Sequence, residues 1–323
     1  MITHGETPAK LCRMTATLAL AALLAPAPKP QLGDLKPRLD AMARTFGGRL
    51  GYRVELLEDP AHAIGFRETE RFPSASTIKT VVMIEVVRQI EAGKMKWADT
   101  LPIPPVAQRN MSLWVGHLIE GKKMNLEGLV YAMMSVSDNT ATVMLANHVG
   151  VENIERTMLS WGFQDTACTI NVPASNERLT RLRRSFLNMG VTTPRDMNGI
   201  MRRLVTGKAA TSRAASERMV RTMGQQYWDD FIGWGIPPHI QVAGKVGALN
   251  RSRSEAAIVF GPRPYLISIY TDNQTDRKWV DENEGNEAIR RMSLLVWNHL
   301  NPTQTYTPPT DAPRWFPTGA GLE

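Results

Sequence analysis

Three short segments hold residue types that could act on one another. Ser76 stands three residues before Lys79 in "FPSASTIKT", Ser137 and Asn139 flank Asp138 in "VSDNT", and Lys245 precedes Val246 and Gly247 in "AGKVGAL". An alcohol is a poor nucleophile at neutral pH, so acyl chemistry on Ser76 needs a base, and a three-residue spacing on one helix face brings Lys79 within reach. Lys79 must lose basicity for that role; burial and a second cation, here Lys245, both act in that direction. A serine at a helix start presents its backbone N–H outward, and a second N–H from a strand edge near Ala248 would complete a cradle for a developing oxyanion. Each segment also has a plainer account: a capping serine with a surface lysine, an Asx-type turn or N-cap, a strand with a glycine bulge. The three together, in this order, are a much rarer event than any one alone.

These residues need elements to place them. "LGYRVELL" alternates Leu50, Tyr52, Val54 and Leu56 on one face, the period of a half-buried strand, and "AHAIGFRE" fits a second. The run from Thr77 to Ile90 is apolar on most sides and predicts a buried helix. Helices follow over "NLEGLVYAMM", "ATVMLANHV" and Val151 to Trp161, with the SDN break between the first two. Asp165 to Gly190 shows little periodicity and reads as a long irregular loop of the kind that carries function. Helical patterns return from Pro194 to Leu204 and from Ala214 to Met223, then "HIQVAGKVGAL", "EAAIVF" and "YLISIYTD" read as three antiparallel strands before a closing helix, "NEGNEAIRRMSLLVWNHL". Strands at both ends with helices between them predict an α+β fold: an antiparallel sheet built from both chain ends, flanking helices, and an all-helical lobe from the middle.

The motif set and its order resemble the class A serine β-lactamases and the related penicillin-recognising serine hydrolases. The likeness runs from about Leu50 to Leu300 and includes "RFPSASTIKT", "MMSVSDNTATVML", "VTTPRDM" and "GPRPYLISIYT". It implies a hydrolase acting on a cyclic amide through an acyl-enzyme, without cofactor or metal. By position, Ser76 is the expected nucleophile and Lys79 a proton acceptor, and Ser137 relays a proton to the leaving nitrogen. Asn139 would orient Lys79 and the substrate amide, Lys245 would hold Ser137 and attract a carboxylate, and Gly247 and Ala248 would complete the binding edge. The resemblance leaves Asp138 a structural role.

Two departures stand out. The third motif normally carries a hydroxyl residue where Val246 stands, and the lost bond to a substrate carboxylate is worth roughly 1.5–3 kcal/mol, unless Arg251 or Arg253 replaces it. In the loop before "TTP", Glu177 takes the place of the glutamate that activates the deacylating water, yet Arg181 replaces the expected asparagine and no acid stands near Gly190 to brace the loop. Glu177 could equally be a solvated charge beside Arg178. The cluster Arg178, Arg181, Arg183 and Arg184 is a solvated face or a collar for anionic substrates. A peptidoglycan-directed peptidase or esterase, or a penicillin-binding domain that stays acylated, therefore remain the alternatives to a β-lactamase.

The 323-residue chain is 43% hydrophobic, enough for a large core, and Lys and Arg exceed Asp and Glu by 38 to 31. The basic residues are scattered, no nucleic-acid-binding signature accompanies them, and neither metal-ligand spacing nor a nucleotide-binding motif is present. Residues 1–30 read as a signal peptide, with Lys10 and Arg13 ahead of the apolar run "MTATLALAALLAPA". The expected location is periplasmic or secreted, with no membrane span after processing. Residues 31–300 form the hydrolase domain, and residues 301–323 a proline-rich tail expected to be poorly ordered. Cys12 falls in the leader, which leaves Cys168 alone as a small buried hydrophobe. A monomer acting on a β-lactam or a peptidoglycan-like substrate is expected.

Overall fold

A computed structural model describes residues 30–106, 114–186, 189–228 and 230–309. The leader, Cys12 and the end of the proline-rich tail lie outside these residues. The chain divides into two units, Met1–Gln31 and Leu32–Glu323, and every element below belongs to the second.

The expected α+β architecture is present. Helix α1 (Leu32–Thr45) precedes strands β1 (Arg49–Leu56), β2 (Ile64–Phe66) and β3 (Phe72–Pro73). A 3₁₀ turn (Ala75–Ile78) leads into α2 (Lys79–Glu91), then come the short strands β4 (Thr100–Pro102) and β5 (Lys123–Asn125) and helices α3 (Leu126–Ser135), α4 (Asn139–Val149) and α5 (Val151–Ser160). Next are β6 (Ala167–Cys168), α6 (Glu177–Ser185), β7 (Gly190–Thr192), α7 (Pro194–Val205) and α8 (Arg213–Met223). Strands β8 (Val242–Leu249), β9 (Ser252–Val259) and β10 (Tyr265–Asp272) and helix α9 (Glu284–Leu300) close the fold.

The main sheet has the order β2-β1-β10-β9-β8, so N-terminal strands pair with C-terminal ones and β8 lies at an edge. Its two faces bury different cores. Along β9, Ala256 and Ile258 join the cluster of the helical lobe, whereas Ala257 and Val259 join the cluster of α1 and α9. Covering both faces leaves all eight residues of β9 buried, Arg253 and Glu255 included. That burial forces both charged groups to find partners in the interior.

Two segments depart from the sequence reading. The stretch expected to be one irregular loop contains α6: Asn176 caps it by accepting from Leu179 N, and Leu179 and Leu182 bury one face. Arginine-rich outer positions hid that periodicity. The proline-rich tail begins in order, because Gln304 O accepts from the Trp297 indole, and the Asn298 side-chain amide of α9 donates to Tyr306 O and accepts from Tyr306 N.

Candidate active site

The turn that carries Ser76 is held from three sides. Ala75, just before it, has a left-handed φ of 47°, a strained setting for a residue with a Cβ. Thr77 donates to Ser74 O at 2.7 Å and accepts from Tyr270 OH at 2.9 Å, which ties the turn to β10. Ser74 N reaches Gly190 O at 3.0 Å, and a Cβ on Gly190 would come within 2.6 Å of Ala167 O and 2.7 Å of Ile78. No acid can stand at Gly190, since the turn occupies that space. The brace of the loop lies elsewhere: Glu155 on α5 accepts from Asn176 and Arg178, at 2.7 and 2.6 Å.

Lys79, at the first position of α2, is fully buried. Its Nζ donates to Ser137 O at 2.6 Å, Ser137 Oγ at 3.0 Å and Asn139 Oδ1 at 2.7 Å. Burial pushes its pKa well below the usual lysine value, the nearby Lys245 cation adds to the drop, and Asp138 opposes it. Asp138 caps α4 through Ala141 N at 2.8 Å and accepts from Trp114 N and Val115 N, so its carboxylate shapes the break between α3 and α4. Ser137 itself is left-handed, with φ 61°, and that turn aims both its carbonyl and its hydroxyl at Lys79.

Strand β8 lies against the Ser76 turn. Lys245 is fully buried and its pKa falls to about 7, through burial, with Glu255 opposing. Its Nζ bonds Val246 O at 3.2 Å, while the expected hold on Ser137 is made by Lys79 instead. A Cβ on Gly247 would meet Ser254 Oγ at 2.7 Å, Ser74 O at 2.9 Å and Ala75 Cβ at 3.0 Å, so glycine lets the strand lie against the Ser76 turn. N–H groups of an edge strand alternate between its neighbour and the open side. Val246 N points to the open side, where Gln226 Oε1 accepts it at 2.6 Å, and Ala248, two residues on, therefore shares that direction.

The structure does not bring Arg253 into this cluster. In the β8–β9 register Arg253 lies opposite Ala248, on the face shared with Ala257 and Val259. There its guanidinium donates to Leu249 O, Ser252 O and Lys278 O and stacks on Trp279. Arg251 is turned to Gln274 O and Asn273 O. Val246 shares the Arg253 face, only 8% exposed, within the α1 and α9 core. Glu177 is an exposed first-turn residue of α6, and the charges that act on Lys79 are Lys245 and Asp138. Sequence reasoning missed Tyr270, Gln226 and Glu255; their roles come from tertiary placement and carry no local signal.

Residues 34–300 match the family described as "Beta-lactamase enzyme family", which spans most of the chain. The chain belongs to that family. It is a serine β-lactamase-like hydrolase. Among curated relatives, β-lactamase Toho-1 of Escherichia coli is 25% identical over 277 residues, covering 82% of this chain and 87% of the relative. A β-lactamase structure from Sphaerobacter thermophilus superposes with a TM-score of 0.71 at 24% identity, covering 85% of this chain and 98% of that one. The structure of PBP-A gives 0.72 at 20% identity, covering 86% and 100%. These likenesses establish the fold, in which Lys79 ties the Ser76 turn to the SDN break and Gly247 brings β8 against that turn. Among the described residues no helix is long and apolar enough to cross a membrane, and no cluster of three or more His, Cys, Asp or Glu side chains is gathered for a metal.

Proposed function

We propose that the protein opens the ring amide of β-lactams through an acyl-enzyme on Ser76, after export by its leader, and acts as a monomer. The observation that carries this reading is Lys79: a buried amine, depressed in pKa, locked to Ser137 and Asn139 one turn along from Ser76. In its neutral form Lys79 takes the Ser76 proton as Oγ attacks the lactam carbonyl. The oxyanion is received by the Ser76 and Ala248 N–H groups, and Ser137 passes a proton to the nitrogen as the C–N bond breaks. Lys245 attracts the substrate carboxylate. Water then cleaves the ester to release the product acid and restore Ser76.

The exposure of Glu177 favours a second reading for the last step: hydrolysis of the ester is slow and the adduct long-lived. Intact-mass measurement after mixing with a penicillin tests both. An adduct of one penicillin that Ser76→Ala abolishes supports acylation; neither an adduct nor hydrolysis of the penicillin by a folded protein overturns it. An adduct lasting through many minutes, with a lifetime unchanged in Glu177→Ala, supports slow release, whereas rapid turnover that Glu177→Ala arrests returns the water-activating role to Glu177.

A further inference from the structure

Strand β8 is an edge strand, and the open-side N–H of Val246 would ordinarily go to water or to the substrate. Here Gln226 claims it, Oε1 to Val246 N at 2.6 Å, from the loop that follows α8. The other end of the same amide donates through Nε2 to Glu255 Oε1 at 3.0 Å, and Glu255 Oε2 accepts from Ile232 N at 2.7 Å. Glu255 is fully buried one strand further in, opposite Val246 in register. Space for its carboxylate exists because Gly244 has no side chain: a Cβ there would lie 2.8 Å from Glu255 Oε1.

The chemistry of the pair is directional. A carboxylate only accepts, so Glu255 must face the NH₂ end of Gln226, which leaves the oxygen end for Val246 N–H. The reverse orientation would set an NH₂ against an N–H and a carbonyl against a carboxylate. The same loop is pinned to the SDN side of the cleft, since Tyr227 N donates to Ser135 O at 3.0 Å and the Ser135 hydroxyl donates to Gln225 O at 2.7 Å. Gln226 thus joins the loop below Ser137 to the strand that carries Ala248.

We propose that Gln226 and Glu255 are positioning residues for acylation: through the Val246 amide they fix the height of the β8 edge, and so the aim of the Ala248 N–H at the oxyanion, without touching the substrate. The inference rests on Ser76 being acylated. A displaced oxyanion donor weakens the transition state more than the bound ground state.

The test compares the parent protein, Gln226→Met, Glu255→Gln and, as a control at an exposed neighbour, Gln225→Ala. Single-turnover acylation by a chromogenic cephalosporin is followed, together with the infrared carbonyl band of the Ser76 ester. The parent is measured first, and absence there of both an adduct and cephalosporin hydrolysis sinks the acylation reading itself. With an adduct in the parent, Gln226→Met and Glu255→Gln are expected to slow acylation by about 10- to 100-fold, with KM changed less than about 2-fold, and to move the ester band upward as its hydrogen bonding weakens. Gln225→Ala should match the parent. Parent-like rates and an unmoved band in folded Gln226→Met overturn the proposal. So does failure of that variant to fold, which would make the pair a stability element.

Discussion

Ser137 and Lys79 show how much of this site is decided by single donors and acceptors. As an ammonium Lys79 has three protons, and Ser137 O, Ser137 Oγ and Asn139 Oδ1 take all three. Once neutral, its lone pair can be met by only one of these partners, the Ser137 hydroxyl, because the other two only accept. Loss of a proton from Lys79 therefore lets the Ser137 O–H turn toward it, until Ser76 takes that place as it attacks. Lys245 adds a second titration: its cation is lost as pH rises through about 7. Acylation should rise with pH as Lys79 becomes neutral, while KM for a carboxylate-bearing lactam rises above neutrality. A neutral ester substrate should lack that second limb, and an identical KM profile for both would remove Lys245 from carboxylate binding. Stability carries the same signature. Between about 7 in the folded protein and the ordinary 10.5 of an unfolded lysine, the unfolded chain binds more protons, so folding gains stability as pH rises through that window. Lys245→Met should be more stable than the parent near neutrality by on the order of 2 kcal/mol, with the advantage shrinking toward the upper end of the window. Urea titrations across that range check this, and a constant difference would contradict it.

At the scale of elements, close approach decides the geometry. Gly247 admits β8 to the Ser76 turn, and Gly247→Ala should destabilise by about 1–3 kcal/mol and slow acylation by on the order of 10²-fold. A variant that acylates at the parent rate would show that the turn can yield. The strands, the helices over residues 126–134 and 141–149, and the SDN break were legible in the sequence because period and capping are local. Helix α6 was not, since its two buried leucines stand among four arginines and its capping Asn176 is held by Glu155, on another helix. Arg253 cannot replace the bond lost at Val246, since the β8–β9 pairing sends its side chain to the far face. Gln226 had no signature at all: a lone glutamine acquires its role only when a loop, an edge strand and a buried carboxylate meet.

For the molecule as a whole, the two faces of the sheet separate stability from chemistry. Lys245 and Gly247 share one face of β8, whereas α1, α9 and the ordered start of the tail close the other. Ending the chain at Thr303 removes the Gln304 carbonyl from the buried Trp297 indole and Tyr306 from Asn298. That truncation should lower unfolding stability by about 2 kcal/mol while leaving the acylation rate unchanged; a slowed rate would show that the two faces are coupled. The sheet order has one more consequence. An uncovered edge strand is a template on which another chain can add, and β8 ends the sheet beside the Ser76 turn. Gln226 takes the open-side N–H of Val246, in the middle of that edge. The parts that aim the reacting groups thereby also guard against aggregation, and variants lacking Gln226 should scatter light on warming before they unfold.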